Sequence, residues 1–264
     1  MRKVFVITGG ACGIGKCLVE TFARQGNVAY FIDKDEARLQ ATERELTEQG
    51  LGVFGYAGDV AEQEVLEKFH AWVMAQQPEG IHCLINNACL SRKGILSRCG
   101  YDDFLYVQRV GVAAPYWLTL LFKDEFIGMG SVVNISSTRA FQSQPDTESY
   151  TAAKGGITAL THALAVSLGG KVRVNAIAPG WIDTGKYGAT GVAEAFTDAD
   201  RNQHPSGRIG EPQDIARVVE FLCDDRNSFI NGELITVDGG MTRNMIYHND
   251  FGWKYEDPSD HRHA

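Results

Sequence analysis

Three residues near the middle of the chain have the types and the spacing of an acid–base centre. Tyr150 stands thirteen residues after Ser137, and Lys154 follows Tyr150 by four residues. Residues four apart on a helix share a face, so the phenol of Tyr150 and the ammonium of Lys154 would point into one site. A free tyrosine has a pKa of about 10, so work near neutral pH needs roughly 4 kcal/mol of preferential phenolate stabilisation. An isolated Y-x-x-x-K is nevertheless common, as a partly buried tyrosine beside a lysine that reaches for solvent.

A glycine-rich segment follows the first strand-like run and opens into a helix, with glycines at positions 9, 10, 13 and 15. Such glycines let the backbone turn sharply and approach a pyrophosphate, which free N–H groups at the helix N-terminus stabilise. The next strand-like run ends at Asp33, 18 residues beyond Gly15. A carboxylate there accepts hydrogen bonds from both ribose hydroxyls and repels a 2′-phosphate, which predicts NAD(H) in preference to NADP(H). The alternatives are a tight strand-to-helix turn and an acid that stabilises a helix N-terminus.

Two further strand ends carry polar side chains. Asp59 follows the third strand and would accept a hydrogen bond from an adenine amino group, while with Glu62 it has the D-x-x-E spacing of a capping box. After the fourth strand, Asn87 would line the adenosine ribose, whereas Asn86 is expected to tie neighbouring strands together. The carboxyl ends of parallel strands converge at one edge of an open sheet, where such sheets bind ligands.

With a bound nicotinamide, the central residues would interconvert a secondary alcohol and a ketone. Ser137 would hold the substrate oxygen while Tyr150 removes its proton, and the carbon-bound hydride would leave for nicotinamide C4. The Lys154 ammonium and the oxidised nicotinamide would together supply the phenolate stabilisation.

The elements that must position these groups alternate along the chain. Strand-like runs rich in Val and Ile alternate with helical patterns, which predicts a doubly wound α/β Rossmann fold whose seven-stranded parallel sheet has helices on both faces. The predicted strands are 3–8, 28–33, 53–58, 82–88, 131–137, 172–178 and 233–237. The predicted helices are 14–25, 36–49, 62–76, 102–126, 150–168 and 212–222. Segments 185–207 and 241–264 have no strong pattern.

Length and composition restrict the class of protein. A chain of 264 residues with 44% hydrophobic residues can bury a core, and we expect one dinucleotide-binding and catalytic domain, 1–240, with an extension, 241–264, that packs on it or on a neighbouring subunit. The net charge of -8 argues against nucleic acid and anionic membranes as partners. Six cysteines without metal-ligand spacing predict reduced thiols, a cytoplasmic location and no metal site. No apolar run of membrane-spanning length or signal-peptide pattern is present.

Together the motifs resemble those of the short-chain dehydrogenase/reductase family, from Val4 to about Gly240, over nine-tenths of the chain. The motifs are T-G-x-x-x-G-I-G at 8–15, D-V at 59–60, N-N-A at 86–88, S-S at 136–137, Y-x-x-x-K at 150–154, P-G-W-I-D-T at 179–184, P-x-G-R-I-G-E-P at 205–212 and D-G-G at 238–240.

The resemblance implies a role for each motif residue. Tyr150 would be the acid–base, Ser137 the carbonyl polariser, and Lys154 both a phenolate stabiliser and a ligand of the nicotinamide ribose. Ile182 and Thr184 would flank the nicotinamide carboxamide. The residues expected at the NAD site are Gly9, Cys12, Gly13, Ile14, Gly15, Asp33, Asp59, Val60, Asn87, Tyr150, Lys154, Pro179, Ile182 and Thr184. The resemblance also implies a homotetramer or homodimer, built partly from helices 102–126 and 150–168.

Two positions depart from the family pattern. Cys89 stands where N-N-A is usually followed by glycine, so that turn must tolerate a side chain. Gly111 stands where the family usually has an asparagine that completes a proton relay to Lys154, largely through its main-chain carbonyl. Glycine keeps that carbonyl, so we expect a weakened or re-routed relay and expect Gly111→Asn to fold and to keep or raise activity.

The substrate stays open at this stage. Hydroxysteroids or bile acids, polyols or sugars, and 3-hydroxyacyl compounds are the candidates, and the alternatives in function are an NADPH-dependent ketone reductase and a catalytically weak nucleotide-binding protein. The walls of the substrate site are expected from Ser91, Arg92, Arg139, Ala140, Phe141, Gln142, Trp181 and a lid at 185–207 with Tyr187 and Phe196. Arg92, Arg139 and Lys186 are compatible with an anionic substrate, although solvated surface charge is the more ordinary interpretation of each.

Overall fold

The computed structural model describes residues 2–188 and 191–254 and contains a seven-stranded sheet. Its strands are β1 (Val4–Thr8), β2 (Val28–Asp33), β3 (Gly52–Ala57), β4 (Ile81–Asn86), β5 (Phe126–Ile135), β6 (Val172–Pro179) and β7 (Leu234–Val237). All neighbouring strands are parallel, in the spatial order β3-β2-β1-β4-β5-β6-β7. The predicted fold class, a doubly wound Rossmann sheet, is confirmed.

Helices cover both faces of this sheet through apolar stripes. The helices with buried side chains are α1 (Gly13–Arg24), α2 (Glu36–Thr47), α3 (Gln63–Gln76), α4 (Tyr101–Gln108), α5 (Ala114–Phe122), α6 (Glu148–Ser167) and α8 (Pro212–Leu222), whereas the short helix α7 (Asp198–Asn202) has none. One core contains Leu18 of α1, Leu39 of α2 and Val219 of α8. The core on the other face contains Phe69 of α3 and Leu118 of α5. The two cores fix the sheet between the helix layers.

The strand order reverses between β1 and β4, and this reversal determines where a ligand can bind. Connections leave the carboxyl ends of these two strands in opposite directions, which opens a crevice at that edge of the sheet. Every residue of β1 and β6 is buried, whereas the edge strands β3 and β7 are largely half-buried. The crevice between β1 and β4 therefore lies at the buried central part of the sheet.

The predicted single helix 102–126 is wrong. The chain forms α4, then a π-helical turn at Arg109–Ala113, then α5, and Phe126 already belongs to β5. Pro115 has no N–H, so it cannot make the α-helical bond to the carbonyl of Gly111. Ala114 instead donates its N–H to the carbonyl of Arg109, five residues back. Such π turns are frequent at functional sites.

Other predicted boundaries shift by small amounts, and one element was not predicted. Helix α6 begins at Glu148, two residues before its predicted start, and β5 ends two residues before Ser137. The short helix α7 lies within the segment 185–207 that showed no pattern. Among the residues that the structure describes, no helix is long and apolar enough to cross a membrane.

Candidate active site

The glycine-rich loop packs so tightly on itself that side chains are excluded at two positions. Gly9 has a φ of +67°, in the left-handed region that favours glycine. A Cβ on Gly15 would lie 1.9 Å from the carbonyl oxygen of Gly9. Cys12 precedes α1 without a side-chain capping bond, and no acidic residue occupies the first turn. The first N–H groups of α1 thus remain available to an anion.

A cavity of about 390 Å³ opens beside this loop, at the carboxyl ends of β1 to β4, and we call it the cofactor cavity. Its size, its glycine cradle and the free helix N-terminus fit the adenosine and pyrophosphate of a dinucleotide. Nine of the predicted NAD residues line it: Gly9, Cys12, Gly13, Ile14, Asp33, Asp59, Val60, Asn87 and Thr184. Gly15 lies behind the loop, and Pro179 is buried at the end of β6.

Asp33 lies at the end of β2 with both carboxylate oxygens oriented by backbone donors. Oδ2 accepts from the N–H of Ala11 at 3.0 Å, and Oδ1 accepts from the N–H of Asp35 at 3.1 Å. The carboxylate is therefore fixed at the cavity wall and retains lone pairs for ribose hydroxyls. Two cations share this wall: Lys34 donates to a tyrosine hydroxyl, and Arg38 pairs with Asp35 at 3.1 Å.

Asp59 does not form the predicted capping box. Its Oδ1 accepts from the N–H of Ala61 at 2.9 Å, and Glu62 itself is the N-cap residue of α3. The second oxygen, Oδ2, accepts from the hydroxyl of Tyr106 at 2.5 Å, and that hydroxyl accepts from Lys34 at 3.2 Å. Tyr106 lies on α4 and lines the cofactor cavity. Nothing in the sequence marked it, because its partners are distant in the chain.

The two asparagines of the N-N-A motif make different contacts, as their positions predict. Asn86 is buried and donates to Asn134 Oδ1 at 2.8 Å, which ties β4 to β5. Asn87 lines the cofactor cavity, but its amide also donates to the carbonyls of Thr8 and Gly9 at 3.0 and 3.1 Å. Asn87 therefore holds the glycine-rich loop in place from the neighbouring strand.

The structure brings Ser137, Tyr150 and Lys154 together at the carboxyl end of β5. Ser137 and Tyr150 line the same cavity, and the Ser137 hydroxyl acts on the Tyr150 phenol. Lys154 is 3% exposed, and its ammonium donates to the carbonyl of Ile135 at 2.6 Å and lies 5.4 Å from the centroid of the Tyr150 ring. Ser136 ties α6 to the strand end by donating to the carbonyl of Lys154 at 3.1 Å. The i, i+4 geometry predicted from the sequence is present.

The protein environment does not by itself lower the pKa of Tyr150. Burial raises this pKa well above its usual range, and the neighbouring Cys89 raises it further. The Ser137 hydroxyl and the positive charge of Arg139 lower this pKa. A proton acceptor at Tyr150 therefore needs additional positive charge beside the phenol.

Cys89 has a closer relation to this centre than the sequence indicated. The sequence predicted only that the turn must accommodate a side chain, whereas the thiol acts on the Tyr150 phenol and raises its pKa. Cys89 is exposed and lines the cofactor cavity. The residue that replaces the family's usual glycine thus lies between the cofactor cavity and the phenol.

A second cavity, of about 910 Å³, adjoins Ser137 and Tyr150, and we call it the substrate cavity. It is lined by Ser91, Ser137, Thr138, Arg139, Gln142, Ser143, Gln144, Thr147, Tyr150, Gly180, Trp181, Ile182, Asp200, Gln203 and Met241. Ile182, predicted at the nicotinamide, lies in this wall and bridges to Gly210.

Several predicted wall residues lie elsewhere. Tyr187 lies against α8 and α1, where its hydroxyl accepts from the amide of Gln213 and is affected by the thiol of Cys17. Arg92 pairs with Asp103 at 3.7 Å outside the cavity. The residues Ala140, Phe141, Lys186 and Phe196 do not line it either. Phe196 supports the wall indirectly, by an edge contact with Trp181 at 5.5 Å between ring centroids.

Comparison with known proteins identifies the family. Residues 9–242 match the family model described as enoyl-(acyl carrier protein) reductase. The chain belongs to the short-chain dehydrogenase/reductase family. An uncharacterized oxidoreductase from Thermotoga maritima is 41% identical over 252 residues, which cover 93% of this chain and 98% of that protein. A 3-oxoacyl-(acyl-carrier-protein) reductase from the same organism is 32% identical, with 90% and 97% covered.

Solved structures of short-chain dehydrogenases share the fold. An apo SCOR enzyme from Clostridium thermocellum superposes with a TM-score of 0.86 at 47% identity, covering 97% of this chain and 98% of that one. A glucose/ribitol dehydrogenase from Brucella melitensis gives a TM-score of 0.81 at 27% identity, covering 93% and 100%. This chain is accordingly an oxidoreductase of the family, acting on hydroxyl or keto groups of a small molecule with a nicotinamide cofactor.

Proposed function

We propose that this short-chain dehydrogenase uses NAD(H) to interconvert a secondary alcohol and its ketone, with Tyr150 as the acid–base. The observation that carries the proposal is the grouping of Ser137, Tyr150 and Lys154. Ser137 and Tyr150 line the substrate cavity, the buried Lys154 lies beside the phenol, and Cys89, which acts on the phenol, lines the cofactor cavity. A scaffold protein would not need this half-buried phenol and buried lysine side by side.

The oxidised cofactor supplies, when bound, a hydride acceptor and a positive charge. In alcohol oxidation the Ser137 hydroxyl holds the substrate oxygen, and Tyr150 Oη takes the hydroxyl proton. The carbon loses its hydride and the carbon–oxygen double bond forms, so two electrons and one proton leave the carbon and one proton leaves the oxygen. The Lys154 ammonium favours the phenolate form that accepts the proton.

The preference for NAD(H) rests on Asp33. Its carboxylate is held at the wall of the cofactor cavity by two backbone donors and would accept from the ribose hydroxyls. A 2′-phosphate would meet this fixed negative charge at close range. The two nearby cations, Lys34 and Arg38, already interact with Tyr106 and Asp35. NADP(H) is the alternative that a direct comparison must exclude.

The test is absorbance at 340 nm with NAD and a panel of secondary alcohols, repeated with NADP. We expect cofactor reduction with NAD at a higher kcat/KM than with NADP. Binding of NADH is followed separately by its fluorescence. Binding of NADH without oxidation of any alcohol by NAD or reduction of any ketone by NADH would favour the nucleotide-binding alternative, and a higher kcat/KM with NADP would overturn the cofactor assignment.

A further inference from the structure

Most of the side chains that line the substrate cavity can form hydrogen bonds. Nine of its fifteen lining residues are Ser, Thr, Gln or Tyr, and Trp181, Ile182 and Met241 have the large apolar side chains. A steroid or a long acyl chain would cover these polar groups without pairing them, which is unfavourable. A substrate that itself carries several hydroxyl groups would satisfy them. The wall chemistry therefore favours a polyhydroxylated substrate.

One cation, Arg139, lies in this wall beside the reacting groups. Its main-chain N–H donates to Ser137 Oγ at 3.2 Å, and its guanidinium is hydrogen-bonded to the neutral side-chain amide of Gln144. Within residues 2–188 and 191–254, no carboxylate pairs with this half-buried guanidinium. Its charge acts on the Tyr150 phenol. Guanidinium and phenol can therefore contact one small molecule.

The other charged group of the wall does not compensate Arg139. The carboxylate of Asp200, on α7, accepts from the main-chain N–H and the hydroxyl of Thr197 at 2.8 and 2.7 Å. It is the acidic side chain of a helix capping box, which holds it in place. The cavity wall thus offers one cation that is free for a ligand, together with one fixed anion.

This charge balance distinguishes a carboxylate from a phosphate. A guanidinium forms two parallel hydrogen bonds with a carboxylate and matches its single charge. A phosphate monoester carries about 1.5 to 2 negative charges near neutral pH and would meet a single arginine, with the Asp200 carboxylate in the same cavity. A substrate with a single carboxylate fits the wall better.

We propose that the substrate is a polyhydroxylated carboxylic acid of the aldonic or uronic type, whose carboxylate binds Arg139 while one of its secondary hydroxyls is oxidised between Ser137 and Tyr150. The proposal rests on the proposed function and adds the substrate class to it. Arg139 is then a specificity-determining residue, and the polar wall residues bind the remaining hydroxyls.

The test compares acids with their neutral counterparts, using the full-length protein and NAD. Gluconate is paired with sorbitol and ribonate with ribitol, and glucose 6-phosphate and the uncharged acyl thioester 3-hydroxybutyryl-N-acetylcysteamine complete the panel. Because a hydrogen-bonded charge contributes about 1.5–3 kcal/mol, kcat/KM for the acid should exceed that for its neutral partner by about tenfold to hundredfold. The difference should appear mainly in KM.

Variants then ask whether Arg139 is the source of the preference. Arg139→Gln should abolish the ratio of acid to neutral kcat/KM, and Arg139→Lys should restore part of it. The ratio is the proper readout, because loss of the charge near Tyr150 changes kcat for both members of a pair. Arg92→Gln is the matched control: Arg92 lies outside the cavity, and its replacement should leave the ratio unchanged. NADH affinity should be the same in all four proteins.

Equal kcat/KM for the two members of both pairs would overturn the substrate class but leave the proposed function intact. A preference for the phosphate or the thioester would do the same. If no compound is turned over, gluconate should still raise the Tm of the NADH-bound protein more than sorbitol does, and Arg139→Gln should remove that difference. Absence of the difference would overturn this inference, whereas absence of NADH binding as well would overturn the proposed function.

Discussion

The cofactor cavity and the substrate cavity are built from different parts of the same chain. The cofactor cavity is formed by strand ends that backbone bonds hold in place, such as that from the N–H of Gly9 to the carbonyl of Ile32 at 2.8 Å. The substrate cavity is formed largely by side chains of segments 138–147, 180–182 and 200–203, and by Met241, all outside the sheet.

This difference separates positions at which the fold determines the residue type from positions at which many residue types would fit. At Gly15 no side chain fits, so the fold itself fixes the residue type. At Arg139 or Gln142 the backbone would accept many side chains, so their identity reports on the substrate. Tyr150, on α6, lines the substrate cavity, and Cys89 of the cofactor cavity acts on its phenol. Four changes should break or sharpen this comparison.

The largest effect is expected from Tyr150→Phe. General acid–base catalysis contributes about a hundredfold to ten-thousandfold in rate, so kcat should fall by at least about a hundredfold while NADH affinity stays unchanged. Tyr106→Phe is the counterpart in the cofactor cavity: it removes the hydrogen bond to Asp59 and should weaken NADH binding several-fold with little loss of kcat. Steady-state rates and NADH fluorescence measure both. Near-normal turnover in Tyr150→Phe would remove this phenol from the mechanism.

Asp33→Asn should narrow the preference for NAD(H) by about tenfold to hundredfold, because the hydrogen bonds to a charged acceptor and the repulsion of a phosphate are both lost. The amide oxygen can still accept from the N–H of Ala11, so the loop keeps one of its supports. Asp33→Ala removes both backbone contacts and controls for loop damage. The ratio of the Kd for NADPH to the Kd for NADH measures this preference. An unchanged ratio in both variants would exclude Asp33 as the discriminating group.

The sequence predicted that Gly111→Asn folds and keeps or raises activity, and the packing around Gly111 favours a different outcome. A Cβ at position 111 would lie 2.8 Å from the Cβ of Ala153, on the helix that carries Tyr150 and Lys154. Overpacking of this kind costs about 1–3 kcal/mol, and the displaced helix should also lower kcat. Urea unfolding measures the first effect and turnover the second.

Gly155 supplies the control for that prediction. It lies on the same helix, and a Cβ there would meet no atom within 4 Å. Gly155→Ala should therefore stabilise the protein by about 0.5–1 kcal/mol, since glycine is unfavourable inside a helix. If Gly111→Asn were as stable as the unmodified protein, the close approach of the π turn to α6 would not be the reason for a glycine at position 111.

The same division explains how far the sequence could be used for prediction. The phosphate loop, the Tyr150–Lys154 pair and the parallel sheet follow local rules of glycine conformation, helical spacing and hydrophobic runs, and the structure has all three. The π turn also had a local signal, since Pro115 interrupts the helical bonding at Gly111.

The remaining features depend on residues far apart in the chain. The bond from Tyr106 to Asp59 spans 47 residues, and the contact of Cys89 with Tyr150 joins two different crossovers. Helix α7 is an exception with a local signal, because Thr197 and Asp200 have the spacing of a capping box. Contacts of this kind are decided by packing and not by local propensity.

The C-terminal extension is where the smallest effect on chemistry is expected. Asp238 fixes its first residues by accepting from the N–H and the hydroxyl of Thr242 at 2.8 and 2.6 Å, which keeps Met241 in the substrate cavity wall. Farther along, Met245 is 72% exposed and Tyr247 is 65% exposed. The predicted assembly helix α5 likewise leaves its Tyr116 46% exposed. Tyr255 and segment 257–264 lie outside the described residues.

Exposed apolar side chains on two elements favour burial against a second copy of the chain, as expected for a homodimer or homotetramer. Deletion of residues 245–264 should therefore lower the molar mass measured by light scattering, while KM stays nearly unchanged because Met241 and its Asp238 anchor remain. Met241→Ala is the reciprocal control and should raise KM without changing the mass. An unchanged mass with a raised KM would show that the tail contributes to the substrate cavity and not to assembly. No change in either quantity would show that the tail contributes to neither.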